Sequence, residues 1–144
     1  MALVLLVAAE IGKGPLAHAG RPARWARVAW LAGGALAIIH AVLALAIRYQ
    51  WDHGLAVRET ASQGAALYGI AWSGSLYVNY VFLAMWIAVS WRWQNWLWRL
   101  FVLVMVANGA ILFARPMARP FGALLVALLL WAWTKPARPR QARL

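Results

Sequence analysis

The sequence contains no cysteine and only three acidic residues among its 144 positions. The absence of cysteine excludes disulfide frameworks, cysteine-ligated zinc, iron–sulfur clusters and thiol redox chemistry. Charged residues make up only 12% of the chain and apolar residues 65%, whereas a soluble domain is about one quarter charged and about half apolar. This composition excludes a disordered chain and is typical of an integral membrane protein.

Four uncharged runs are suitable for crossing a membrane as helices. A helix rises about 1.5 Å per residue and the hydrocarbon core is about 30 Å thick, so about 20 apolar residues span it. The uncharged runs are residues 28–47, 60–91, 100–114 and 120–134, and the predicted spans are 28–47, 74–91, 97–114 and 120–134, the third of which includes the flanking Arg99. Residues 115–119 are expected to form a tight turn, since Pro120 suits the first turn of the helix that follows. The expected fold is a single all-α membrane domain over residues 1–144, with four transmembrane helices in a bundle.

Two further helices are expected outside these spans. Residues 1–9 are apolar but too short to cross a membrane, and Glu10 and Lys13 follow them. For residues 1–24 we predict an interfacial helix or one packed against the spans. A secretory signal with small residues at 17 and 19 is the alternative, although no basic region precedes the apolar run. In the loop after the first span, residues 55–68 are expected to form an amphipathic helix. The second span is expected to open at Ser73-Gly74-Ser75, where a serine can cap it.

The basic residues predict which ends of the spans face the cytoplasm. With both termini inside, ten of the fourteen Lys and Arg residues lie on the inner face, including those of a basic cytoplasmic tail, 135–144. The net charge of +11 is then attributed to topology and to anionic lipid headgroups, not to nucleic acid. Because Arg outnumbers Lys twelve to two, a GC-rich bacterial genome and therefore a bacterial plasma (inner) membrane is expected.

Tryptophan is concentrated at the predicted inner interface. The indole ring is apolar with one N–H to satisfy, so it is favoured both at headgroup depth and at protein interfaces. The residues expected to contact headgroups and protein partners there are Trp91, Trp93, Trp96 and Trp98.

Polar side chains inside the spans form one predicted layer in the outer third of the membrane. His40, Asn79 and Asn108 each lie near the outer end of a different span, and Tyr77 and Tyr80 flank Asn79. Such groups must face other helices and find partners there. Small residues next to His40 would let another helix approach closely: Gly33, Ala37, Ala41 and Ala44. The layer is either an interhelical hydrogen-bond network or a site for a ligand, ion or proton.

The outer loop contains Asp52, His53 and Glu59. Asp52 is expected to cap a helix and Glu59 to pair with Arg48 or Arg58. The alternative is an outward-facing polar pocket, or a metal site, although these residues have no recognised metal-ligand spacing. His40 is the only histidine at membrane depth, so a haem with two histidine ligands is not favoured. A single-histidine contact with a pigment or haem remains an alternative.

These observations favour a noncatalytic integral membrane subunit that packs within or stabilises a larger membrane protein complex. The second hypothesis is a small transporter or a ligand- or pigment-binding membrane protein, with its site at His40, Asn79 and Asn108. The third, an outward-facing membrane enzyme, would need Glu59 or His53 for turnover, and the sequence barely supplies the acids, bases and nucleophiles that it requires.

Overall fold

The computed structural model describes residues 1–17, 21–88 and 96–135. Within these ranges the chain is helical and contains no β-strand. The α-helices are α1 (Ala2–Lys13), α2 (Arg24–Leu43), α3 (His53–Tyr68), α4 (Ser75–Ala88), α5 (Trp96–Ala107) and α6 (Arg119–Thr134). A π-helical segment extends α2 over Ala44–Arg48, another extends α5 over Asn108–Leu112, and a short 3₁₀ turn, Pro116–Ala118, precedes α6.

Each predicted span overlaps a helix within the described residues, residues 89–91 of the second span lying outside them, and the prediction of an all-α fold is confirmed for the described residues. The predicted helix of the outer loop is also present as α3, and Asp52 caps it as expected, because its Oδ1 accepts a hydrogen bond from the Leu55 amide at 2.8 Å. Pro120 lies in the first turn of α6. At the start of α4 the serine acts differently: the Ser75 hydroxyl donates to the Trp72 carbonyl, 2.9 Å away.

Two helical stretches are long and apolar enough to cross a membrane, namely Arg24–Arg48 with 25 residues and Pro116–Thr134 with 19. Only 17% and 22% of their most apolar windows are buried, which differs from the core helix of a water-soluble protein. Ser75–Ala88 and Trp96–Leu112 are apolar but shorter in the described residues. The structure thus supports two candidate spans by length and composition.

The first helix is packed against α2 and α6, which is one of the two alternatives predicted for the N-terminal segment. Leu6, Val7 and Ala9 are at most 2% exposed, because α1 lies against α2 and α6. The pairing with α2 is antiparallel: a Cβ on Gly33 would lie 3.1 Å from Leu5 Cβ, and one on Gly12 would meet Ala26. The N-terminal segment therefore supplies part of the hydrophobic core.

α2 contacts α4, α4 contacts α5, and α5 contacts α6, while α3, which lies between α2 and α4 in the chain, packs against α4. α6 approaches the π-helical end of α5 closely, because Gly122 lies directly against the Ala110 carbonyl. This packing defines two ends of the molecule. The end of α1, the start of α2 and the end of α6 form what we term the Glu10 end; α3 and the start of α4 form the His53 end.

Candidate functional site

A buried ionic cluster lies at the Glu10 end. Glu10 is only 3% exposed, and its Oε1 accepts a hydrogen bond from Lys13 Nζ at 2.7 Å. Its Oε2 accepts the indole N–H of Trp133 at 2.9 Å, which joins α1 to α6. Because an ionised carboxylate in a protein interior is costly unless it is paired and hydrogen-bonded, these two donors are what make the burial of Glu10 tolerable.

Aromatic rings and a second cation surround this ion pair. Lys13 Nζ lies 4.1 Å from the centre of the Trp30 ring, and the guanidinium carbon of Arg99 lies 5.7 Å from that of Trp133. Both are cation–π distances. The Arg99 Nε is buried and has no hydrogen-bond partner. Burial lowers the pKa of Lys13; the Glu10 charge and hydrogen bond oppose this effect, and the nearby Arg99 charge adds to it.

Sequence reasoning missed this cluster. It treated Glu10 and Lys13 as the residues that end an apolar run, without giving them partners. The available signal was their spacing: Leu6, Glu10 and Lys13 follow one another at four and three residues, so they share one face of a helix. A carboxylate and an amine on the same face as a core leucine indicate a packed ion pair more than a solvated one.

Tryptophans form the core beside the ionic cluster. The Trp30 ring centre lies 5.9 Å from that of Trp86 and 6.0 Å from that of Trp98, and the Trp86 indole donates to the Trp30 carbonyl at 3.3 Å. Trp98 is 3% exposed, so it packs within the chain and does not present the interface that the sequence predicted. Trp96 is 70% exposed. The predicted interface residues Trp91 and Trp93 lie outside the described residues.

At the His53 end, the outer-loop residues serve to position α3. Glu59 forms an ion pair with Arg48, which confirms one of its two expected partners and ties α3 to the end of α2. The His53 ring lies 5.7 Å from Tyr77 and 5.9 Å from Tyr80, which ties the start of α3 to α4. These contacts bring His53 together with the predicted tyrosines.

The three residues of the predicted polar layer have different surroundings. Asn108 accepts a hydrogen bond from the Tyr68 hydroxyl and donates to the Val104 carbonyl at 2.9 Å, so it links α5 to α3. Asn79 donates to the Ser75 carbonyl of its own helix at 3.4 Å. The His40 side chain is exposed, and in the described part of the chain it makes no hydrogen bond, ion pair or ring contact.

Each of the predicted outer-loop residues makes a contact within the chain. Asp52 is engaged as a helix cap, Glu59 with Arg48, and His53 with two aromatic rings. Across residues 1–17, 21–88 and 96–135, no group of three or more His, Asp or Glu residues is placed to hold a metal ion. The arrangement is one of side chains that hold helices together.

The fold and these contacts define a class: an all-helical protein with two candidate membrane-spanning helices. Comparison with protein-family models, with curated protein sequences and with solved structures gives no match for this chain.

Proposed function

We propose that this chain is a noncatalytic integral membrane subunit that packs within a larger membrane protein complex through the outer half of α2. The observation that carries the proposal is the exposed His40 side chain on the longest apolar helix. His40 precedes Arg48 by eight residues, or about 12 Å along a helix. At that depth a lipid tail offers the imidazole no hydrogen bond, so a partner must cover it.

The surroundings of His40 suit a second helix. Ala37, Ala41 and Ala44 lie on its side of α2 and are only partly buried by the chain itself. Small side chains let helix backbones approach closely, and a polar group on the partner would then reach the imidazole. The large apolar side chains beside His40 and these alanines are well exposed, as expected for a helix that contacts both a partner and lipid: Leu36 at 39%, Ile39 at 52% and Leu43 at 49%.

The proposed topology has four spans with both termini in the cytoplasm, in a bacterial plasma membrane. It is supported by the distribution of basic residues in the sequence, because this topology puts ten of the fourteen Lys and Arg residues on the side that the positive-inside rule assigns to the cytoplasm. The chain has no cysteine, so single cysteines can be introduced without removing others. In intact cells, Met117→Cys, at a position 96% exposed, should react with a membrane-impermeant thiol reagent, and Lys135→Cys, at an exposed position just after α6, should react only after lysis. The reverse pattern would overturn the orientation.

The partner is tested by cross-linking from the surface beside His40. A photoreactive benzoylphenylalanine replaces Leu43, and the matched control carries it at Leu124 of α6, which is 53% exposed. The proposal predicts a protein adduct from position 43 that position 124 does not give. His40→Leu should reduce co-purification of that partner while the level of this chain in the membrane is unchanged. Lipid adducts alone from both positions would refute the proposal.

A ligand-binding or transport function is the second candidate, and the unpartnered imidazole of His40 is also what favours it. A flat pigment or haem could rest on the small residues beside it and take the imidazole as a ligand. Asn79 and Asn108 support this candidate less, because each already makes hydrogen bonds within the chain. Native mass spectrometry distinguishes the two: a bound small molecule that His40→Leu removes, without any protein adduct, would favour the ligand.

A further inference from the structure

Two adjoining open depressions, of about 340 and 590 Å³, lie at the surface of the Glu10 end, where the chain enters α2. They share Pro22, Ala23 and Arg24 as walls, and the remaining lining residues are Leu16, Arg21, Trp25 and Arg27. Three arginines therefore line one continuous hollow, and no acidic side chain does.

The charge of this hollow is not compensated nearby. Glu10 is buried and already paired with Lys13, while Asp52 and Glu59 lie at the opposite end of the molecule. Arg24 and Arg27 are three residues apart, so they project from the same side of the first turn of α2, and both are exposed. Guanidinium groups match phosphate oxygens with paired hydrogen bonds, which makes such a set suited to a phosphate ester.

The walls of the hollow are held in place by backbone hydrogen bonds. The Ala23 amide donates to the Gly12 carbonyl at 3.0 Å, which fixes the entry to α2 against the end of α1. The Leu16 amide donates to the Ile11 carbonyl at 3.1 Å. The backbone beside the hollow is therefore fixed at these two points, so less backbone entropy would be lost on binding.

The same hollow has an apolar side. Leu16 is 48% exposed and Trp25 is 46% exposed, both next to the arginines. The 25-residue apolar helix begins at Arg24, so the hollow lies where a headgroup would be if this helix crosses a membrane. A free phosphate would use only the arginines, whereas a phospholipid would use the arginines, the indole and the apolar helix surface together.

We propose that this hollow binds the phosphate headgroup of an anionic phospholipid, with Arg21, Arg24 and Arg27 as the phosphate-binding residues and Trp25 and Leu16 against the glycerol and upper acyl chain. The site rests on α2 crossing a membrane, as in the proposed function, but not on the partner at His40. The two sites lie in opposite halves of α2, so loss of lipid binding and loss of the cross-link at position 43 are separate results.

The test compares variants of the full chain in nanodiscs of phosphatidylcholine, with and without phosphatidylglycerol, and in phosphatidylcholine with added inorganic phosphate. Arg24→Gln with Arg27→Gln removes two charges from the hollow. The matched control, Arg58→Gln with Arg115→Gln, removes two exposed charges at the other end. Bound lipid is measured by native mass spectrometry and stability by the shift in Tm.

We expect phosphatidylglycerol to raise the Tm of the wild-type protein and to remain bound to it. The double variant at Arg24 and Arg27 should lose about fivefold in preference for the anionic lipid per arginine, or roughly 25-fold for the pair, while the control variant keeps it. An equal loss in both variants would mean general charge attraction and would overturn the site. An equal effect of inorganic phosphate would assign it to a free anion and would overturn the lipid.

A conservative variant covers the case in which the double Gln variant does not fold. Arg24→Lys with Arg27→Lys keeps both charges but lacks the planar, paired donors of guanidinium. If the guanidinium groups bind the phosphate through paired hydrogen bonds, this variant should also lose preference for phosphatidylglycerol relative to wild type. Unchanged binding by the Lys variant would show that charge alone is sufficient and would refute the specific phosphate contacts.

Discussion

Trp133 donates its indole N–H to the Glu10 carboxylate at 2.9 Å, and this hydrogen bond joins residues 123 positions apart in the chain. The same carboxylate holds Lys13, so one buried acid connects the end of α1 to the end of α6. Glu10, for which the sequence predicted no partner, thus links α1 to α6.

Removing the acid should therefore destabilise the fold. Glu10→Leu leaves the Lys13 amine in an interior with its carboxylate gone, and breaking one partner of a buried pair costs about 3–5 kcal/mol. Unfolding in mixed detergent measures the change in free energy.

The control replaces both members of the pair. Glu10→Leu combined with Lys13→Met removes both charges, so this double variant should be more stable than Glu10→Leu alone. If Glu10→Leu were as stable as wild type, the ion pair would have no structural role.

The buried lysine also predicts a pH dependence. Burial holds the pKa of Lys13 below its usual value of 10.5. Between the lowered pKa and 10.5 the unfolded chain binds more protons than the folded chain, so the free energy of unfolding rises with pH in that window. At pH values below the lowered pKa, Lys13 is protonated in both the folded and the unfolded chain, so the folded chain bears the full free-energy cost of burying this charge.

Lys13→Met provides the reference for this measurement because methionine does not titrate. The difference in unfolding free energy, wild type minus Lys13→Met, should increase as the pH is raised from neutral toward 10.5. A difference that stays constant, or that falls, would contradict the inferred direction of the pKa shift.

The sequence predicted the fold better than the site. Runs of apolar residues and a capping aspartate have local signatures, so the helix positions and the role of Asp52 were predictable. The pairing of Glu10 with Trp133 depends on α1 lying against α6, and no local pattern specifies that contact. Likewise, nothing local distinguishes the buried Trp98 from the exposed Trp96, because which side of α5 faces the other helices is decided by packing.

The link between Tyr68 and Asn108 should appear as a coupling between α3 and α5. Tyr68→Phe removes only the hydroxyl that donates to the Asn108 side chain, and Asn108→Ala removes the acceptor. A double-mutant cycle should give a coupling free energy of about 0.5–1.5 kcal/mol, the net value of an ordinary hydrogen bond. Tyr77→Phe combined with Asn108→Ala is the control, since Tyr77 contacts His53 and Tyr80 instead. Equal coupling in both cycles would show that the hydroxyl of Tyr68 has no special role.

The contact between α5 and α6 should tolerate no side chain at Gly122. A Cβ there would overlap the Ala110 carbonyl, which belongs to backbone and cannot move aside without separating the two helices. We therefore expect Gly122→Ala to destabilise the protein by about 1–3 kcal/mol or more. At Gly109, on the same π-helical segment as Ala110, the nearest atom to a Cβ is a leucine methyl 3.9 Å away, so Gly109→Ala should be close to neutral. Unfolding measurements on both variants test this expectation. Equal stability of Gly122→Ala and Gly109→Ala would show that α5 and α6 do not approach each other this closely.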